Sequence, residues 1–195
     1  MTNIAVVYHS GFGHTARQAE AVARGVEAVA GARAVLIPVD KVEENWDSLA
    51  AADGIVFGAP TYMGSVSAPF KTFMDASSKP WYGRVWKDKI AAGFTNSASQ
   101  SGDKLNTLIQ LAVFAAQHGM IWVGLDLLPG NNNSQGSVED LNRLGSFLGA
   151  MAQSNADQPA ELTPPPADLK TAEYLGSRVA TTAKAFAAGR QPAAV

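Results

Sequence analysis

Residues Ile4-Ala5-Val6-Val7-Tyr8 are an unbroken apolar run that passes straight into His9-Ser10-Gly11-Phe12-Gly13-His14-Thr15. A chain built this way folds as a strand covered on both faces that opens through a glycine-bearing loop into a helix. Gly11 and Gly13 allow backbone angles that other residues resist, so the loop amides are free to point inward. The first amides of a helix have no internal acceptor and sit at the positive end of its dipole, with the Ser10 and Thr15 hydroxyls beside them, which is the chemistry of a phosphate cradle. The same residues also suit a tight strand-to-helix turn in which Ser10 or Thr15 only caps the helix. The loop matches neither G-x-G-x-x-G nor a loop ending in Gly-Lys-Ser/Thr. Without a lysine to reach outer phosphates, it argues against a nucleoside triphosphate.

Strands and helices then alternate. Ala16 to Ala30 is helical, with Ala16, Ala19, Ala23 and Val26 as its buried stripe and Gly31 closing it. Ala34 to Pro38 is a second strand, Asn45 to Ala52 a short helix and Gly54 to Gly58 a third strand. Pro69 opens a helix running to about Ala76, Lys89 to Thr95 is a fourth strand, Lys104 to Gln117 a long apolar helix, Met120 to Val123 a fifth strand, and about Ala167 to Ala188 the last helix. This alternation predicts an α/β fold, a doubly wound five-stranded parallel sheet with helices on both faces, as one domain over residues 1 to 195. Gly124 to Ser137, rich in Gly, Asn and Pro, reads as a long functional or interface loop. Ser137 to Ser154 starts with helical spacing that Gly145 and Gly149 interrupt, and Gln153 to Pro166 is a polar, proline-rich link.

Composition removes several functions. A net charge of −2 with no lysine or arginine cluster argues against a nucleic-acid partner. No apolar run approaches a membrane span and no leader pattern precedes the first strand, so a soluble, cytoplasmic protein is expected. With no cysteine there is no disulfide, thiolate nucleophile or iron–sulfur ligation, and any redox chemistry must come from a bound organic cofactor. His9, His14 and His118 lack metal-ligand spacing, and no serine sits in a Gly-x-Ser-x-Gly elbow, so neither a metal site nor acyl transfer is expected. His9 reads as structural.

In an open parallel sheet, ligands sit beyond the carboxyl ends of the strands where the strand order reverses. The loop after the third strand is Ala59-Pro60-Thr61-Tyr62-Met63-Gly64-Ser65, and that after the fourth is Thr95-Asn96-Ser97-Ala98-Ser99-Gln100-Ser101-Gly102. Either one alone is an ordinary turn. Three small, polar loops on one edge favour a ligand whose flat ring is approached by backbone amides.

Ser10 to Thr15, Gly58 to Gly64, Thr95 to Gly102 and Gln117-His118-Gly119-Met120 resemble the corresponding loops of flavodoxin-like FMN proteins, nearest to the WrbA-like NAD(P)H:quinone oxidoreductases, over Asn3 to about Phe186. The resemblance implies strand order 2-1-3-4-5, FMN as cofactor and NAD(P)H as co-substrate, with hydride passed to a quinone by a ping-pong mechanism that needs no catalytic acid or base from the protein. It implies that Ser10, Gly13, His14 and Thr15 hold the FMN phosphate, and that Pro60, Thr61, Tyr62, Met63, Gly64, Thr95, Asn96, Ser97, Ala98 and Ser99 border the isoalloxazine. Phe12 and Gly102 also touch the cofactor, His118 lies near the flavin's pyrimidine edge, and Trp81 lines the substrate cavity. His118 also suits a helix C-terminus as a cation, and Trp81, Tyr82 and Trp86 suit the packing of a long connection. The Lys104 to Gln117 helix and the Gly124 to Ser137 loop suggest self-association, with a homo-dimer as the prior and a homo-tetramer implied by the resemblance. The alternative function is a flavodoxin-type FMN electron carrier without turnover of its own. Seventeen acidic against 15 basic residues disfavour it, because such carriers dock through strong negative charge.

Overall fold

Each parallel strand needs a crossover to bring the chain back to the same edge, and the apolar periodicity supplies helices for that purpose. In the computed structural model, which describes residues 1–189, the chain runs β1 (Thr2–Tyr8), α1 (His14–Glu27), β2 (Ala32–Pro38), a 3₁₀ turn (Val39–Glu44), α2 (Trp46–Ala51), β3 (Gly54–Tyr62), β4 (Ser65–Val66), α3 (Ala68–Ala76), α4 (Ser78–Tyr82), β5 (Ile90–Ser97), α5 (Lys104–Gln117), β6 (Ile121–Trp122), β7 (Ala150–Gln153) and α6 (Pro166–Gly189). The last six residues of the expected 1–195 domain lie outside the described residues.

The sheet order is β2-β1-β3-β5-β6. This is the expected 2-1-3-4-5 with two additions. The two-residue β4 folds back antiparallel on the end of β3, pairing Thr61 with Val66 and Tyr62 with Ser65, so the expected fourth strand is β5. The expected fifth strand at Met120 to Val123 is instead shared between two short pieces. β6 pairs with the start of β5 through Ile121 and Trp122, and β7 with its end, from Phe94↔Ala150 to Ser97↔Gln153. Between them the chain leaves the sheet over residues 123–149, as the composition of Gly124 to Ser137 indicates.

Two bonds hold the ends of this excursion together. The Leu125 amide donates to the Phe147 carbonyl (2.8 Å) and Trp122 Nε1 to the Leu148 carbonyl (2.9 Å). Inside it, Asn142 Nδ2 donates to the Leu127 and Ser146 carbonyls while Oδ1 accepts the Ser146 amide. The helical spacing that begins at Ser137 therefore yields turns, with Asn142 and Gly145 both at positive φ, and then strand β7.

Helices cover both faces. Against α1 and α6 lie Ile4, Val6, Val22, Val26, Val56, Phe94, Leu175 and Val179; against α3 and α5 lie Val7, Ile55, Phe57, Phe70, Phe73, Leu108, Leu111 and Phe114, with Trp86 buried among them. Ala19, Ala23 and Val26 form the expected buried stripe of α1, while Ala16 is half-buried. The backbones of α1 and α6 approach unusually closely. A Cβ at Gly25 would stand 1.8 Å from the Glu173 carbonyl oxygen and one at Gly176 2.0 Å from that of Val22. Alanine gains up to about 1 kcal/mol over glycine in helix propensity. Overpacking against immovable backbone costs about 1–3 kcal/mol. The clash wins, so Gly176→Ala is expected to lower unfolding stability in urea by about 1–2 kcal/mol; an unchanged or raised midpoint would contradict this packing.

Candidate functional site

At the carboxyl edge of the sheet the chain leaves β1 toward β2 on one side and β3 toward β5 on the other, and a cleft of about 500 Å³ opens where they part. Of the residues expected to hold a cofactor, Ser10, Phe12, His14, Thr15, Pro60, Thr61, Tyr62, Met63, Gly64, Asn96, Ser97, Ala98, Ser99 and Gly102 line it. Gly11, named in the cradle for its backbone freedom, lines it as well, and Asp103, Ser154 and Ala156 do so without having been expected.

The loop into α1 carries the strongest chemistry. Gly13 is the N-cap of α1 at φ 87°, no side chain caps the helix, and its first turn holds no acidic residue. The alternative of Ser10 or Thr15 as a cap is therefore not realised. Among the described residues, the amides of Gly11 through Ala16 find no backbone or side-chain acceptor, whereas that of Arg17 already bonds the Gly13 carbonyl (3.1 Å). Ser10 Oγ is buried and has no partner among the described residues. A buried hydroxyl left unpaired costs about 1–3 kcal/mol, so a hydroxyl beside a row of open amides marks a place for an anion. A Cβ at Gly11 would meet the Tyr62 hydroxyl at 2.8 Å, so a side chain there would crowd the cradle. Gly13 itself lies under the loop, on the wall of a neighbouring depression that includes His9 and Asp40. His9 Nδ1 is bonded to Ser67 Oγ at 2.8 Å, and burial holds its pKa below the usual imidazole value, in keeping with a structural role.

The floor is a relay of hydroxyls. Thr95 Oγ1 donates to the Ala59 carbonyl (2.7 Å), so it accepts from Thr61 Oγ1 (2.8 Å), which in turn accepts from Thr107 Oγ1 (2.8 Å). This locks β3, β5 and α5 together. Thr95, expected at the ring, is fully buried beneath the cleft instead, deeper along β5 than the lining residues Asn96 and Ser97 and with its hydroxyl committed to Ala59 and Thr61. Above the floor, Phe12, Tyr62 and Met63 stand on the rim, Met63 wholly exposed at φ 50°. Such a rim suits a flat apolar ring more than a sugar or a free ion. Burial raises the Tyr62 phenol above its ordinary pKa, so it stays neutral.

The structure does not bring His118 or Trp81 to this cleft. α5 begins beside the cleft and runs 14 residues away from it, which at about 1.5 Å per residue sets its C-cap His118 roughly 20 Å away, by the starting end of β5. Trp81 Nε1 donates to the Gln117 carbonyl (3.1 Å), and the two rings line a separate surface depression at that end. Trp86 is core. His118 stacks on Trp86 at 4.2 Å and meets Phe114 edge-on at 4.8 Å. Ser77 Oγ gives its proton to the Met74 carbonyl (2.7 Å), so His118 Nε2–H donates to Ser77 (2.9 Å), and Nδ1 is buried without a partner. No group of acidic or imidazole side chains suited to a metal occurs among the described residues.

The comparisons agree with this geometry. The family model for NADPH-dependent FMN reductases matches residues 36–133. The flavodoxin FldP of Pseudomonas aeruginosa is 47% identical over 184 residues, covering 92% of this chain and 96% of that protein. An NAD(P)H dehydrogenase (quinone) of Geobacter sulfurreducens is 34% identical over 93% of this chain and 97% of its own. Among solved structures, a WrbA-like flavodoxin from Agrobacterium tumefaciens matches with a TM-score of 0.75 at 45% identity, covering 95% of this chain and 99% of that one.

Desolvation lowers the His118 pKa to about 4, against 6.5 for a free imidazole, so between those values the unfolded chain binds a proton that the folded chain refuses. Stability is therefore expected to fall as pH drops from about 6.5 to about 4 and to lose no more from this group below that. The His118→Gln variant should show a shallower decline in urea-unfolding midpoint over that window; parallel profiles would place the cause elsewhere.

Proposed function

The chain belongs to the flavodoxin-like NADPH-dependent FMN reductase family, in its WrbA-like branch, and on that premise we propose that it is an FMN-dependent oxidoreductase passing two electrons from NAD(P)H to a quinone. The observation that carries this reading is the combination of the orphaned Ser10 hydroxyl with the open amides of Gly11 to Ala16. They suit a monophosphate, and the rim of Phe12, Tyr62 and Met63 suits a flat heteroaromatic ring. Bound FMN supplies the redox chemistry, by which NAD(P)H, a proton and the quinone become NAD(P)⁺ and the hydroquinone.

The protein's own part is positional. Ser10, His14, Thr15 and the amides set on Gly13 hold the phosphate. His14 is itself braced, its Nε2 bonded to the Gln158 carbonyl at 2.9 Å. Pro60 to Gly64 and Asn96 to Ser99, with Gly102, border the ring, and the threonine relay keeps these walls at a fixed spacing. Donor and acceptor share the open side in turn, which is ping-pong turnover. Only His14, Tyr62 and Asp103 titrate among the lining residues, and none is paired to act as acid and base, so the protein is assigned no proton-transfer role.

The 47% identity to a protein named a flavodoxin favours a second reading, an FMN electron carrier that turns over nothing itself. Steady-state oxidation of NADH and NADPH with benzoquinone, run beside a visible spectrum, separates the two. Turnover by a yellow protein is expected; flavin without turnover supports the carrier, and colourless protein that refuses added FMN contradicts both.

Leu105, Ile109 and Val113 form an exposed apolar stripe on α5, at the i, i+4, i+8 spacing of one helix face. We infer that a second copy of the chain covers it, giving a homo-dimer or homo-tetramer. Multi-angle light scattering should return a multiple of the 20.4 kDa chain, and a monomer at micromolar concentration would refute it.

A further inference from the structure

Lys104 opens α5 with its side chain completely buried, yet it neither lines the cleft nor forms a salt bridge among the described residues. Taking an ammonium out of water costs several kcal/mol, so its retention here calls for a task. Its two acceptors are neutral, Ser97 Oγ at 2.8 Å and the Ser99 carbonyl at 2.6 Å. The nearby Asp168 carboxylate is already committed. It takes Arg143 in a two-pronged, buried ion pair, Nε to Oδ1 at 2.7 Å and Nη2 to Oδ2 at 2.9 Å, and it accepts the Gln153 amide at 2.8 Å.

Peptide geometry turns these contacts into a statement about the cleft. In a trans peptide, an N–H points opposite to the carbonyl that precedes it. The Ala98 carbonyl is held by Gln153 Nε2 (3.0 Å), which does not line the cleft, and the Ser99 carbonyl by Lys104 Nζ and by the Ser97 hydroxyl (2.9 Å). The amides of Ser99 and Gln100 therefore point away from Gln153 and Lys104; Ser99 lines the cleft, Gln100 borders the neighbouring depression beside Asp103, and neither amide has an acceptor among the described residues. The cleft wall at Ser99 thus carries open donors in addition to those of loop 10–15.

We propose that Lys104 is a positioning residue for the ligand of this cleft: from behind the wall its ammonium pins the Ser97–Ser99 turn so that the Ser99 and Gln100 amides meet an electron-rich edge of the bound flavin, and its charge strengthens that attraction. The proposal rests on the FMN reading above. Asp103 on the preceding residue, Arg143 from the excursion between β6 and β7, and Asp168 from α6 are the charged groups that face it. Burial, with Arg143 adding to it and Asp168 opposing it, brings the Lys104 pKa down to about 8. Lys104→Met leaves the other ionisable groups of the cleft in place, so whatever part of a change between pH 7 and pH 9 that variant loses belongs to Lys104.

The test is a fluorescence titration of the apoprotein with FMN at pH 7 and pH 9, for the unaltered chain, Lys104→Met and Lys104→Arg, with the two-electron midpoint potential of each FMN complex and a circular dichroism spectrum to check folding. At pH 7, Lys104→Met is expected to bind FMN about tenfold more weakly and to hold it at a more negative potential, while Lys104→Arg recovers most of both. The unaltered chain should bind more weakly at pH 9 than at pH 7, and Lys104→Met should show a clearly smaller difference between the two. A folded Lys104→Met with undiminished affinity and potential overturns the proposal. If that variant does not fold, an unaltered chain whose affinity is the same at both pH values overturns it just as well. An unaltered chain that binds no FMN at either pH brings down the FMN reading itself, and this proposal with it.

Discussion

Parallel pairing of β1 with both β2 and β3 is the constraint on which everything at the carboxyl edge depends. One crossover, through α1, carries the chain to β2, while the route from β3 carries it the opposite way to β5, so above the β1–β3 seam the two paths separate and no backbone is left to pair with the amides exposed there. The close contact of α1 with α6 at Gly25 and Gly176 then fixes how far α1 projects, and so where its uncapped first turn sits. The cleft is thus a by-product of winding in two directions. The sequence at the loops decides what it holds.

The cleft has neither lysine nor arginine in its lining, and one carboxylate, Asp103. Its attraction for an anion comes from oriented amides and from one ammonium set behind the wall, all fixed before a ligand arrives. Such a site differs from a mobile cationic one in that little reorganisation accompanies binding. It also limits the ligand, because a handful of amides and a hydroxyl match one phosphate and do not neutralise three. The buried Arg143–Asp168 pair serves geometry in the same way, tying the β6–β7 excursion to α6 and, through the Gln153 amide, to the strand that braces the Ala98 carbonyl.

Much of this was legible locally. The bounds of α5 read from the sequence coincide with those observed, since Gly102 and Gly119, both at positive φ, flank it and its apolar spacing is unbroken. The loop at 10–15 was legible because it follows an apolar run; the strands expected to end at Gly58 and Thr95 instead continue to Tyr62 and Ser97, because Pro60 still pairs with Asn96 across β3 and β5. Thr95 was misplaced because nothing local says where along a strand the cleft begins; its hydroxyl is taken by Ala59 and Thr61 one step below the lining residues. His118 was drawn to the cleft by likeness of sequence, against the plain length of the helix that ends on it. Ser154 and Ala156 carried no local signal, since they reach the cleft only because β7 returns beside β5.

By itself, then, the sequence determined the alternation of strand and helix, the carboxyl-edge cradle at Ser10 to Thr15, and the need for a borrowed redox group in a chain without cysteine. Those properties live in short windows, in periodicity, glycine placement and composition. Only the tertiary structure decided that the edge strand is split, that Thr95 is floor rather than wall, and that a lysine turns inward to hold the Ser97–Ser99 turn. Most of these rest on partners brought together by the packing of distant segments, such as Thr61 with Thr95 or Phe94 with Ala150; even Lys104, whose acceptors are local, lies in the fields of Arg143 and Asp168 from distant segments. The free energy of such contacts comes from burial and orientation that exist only once the chain has folded.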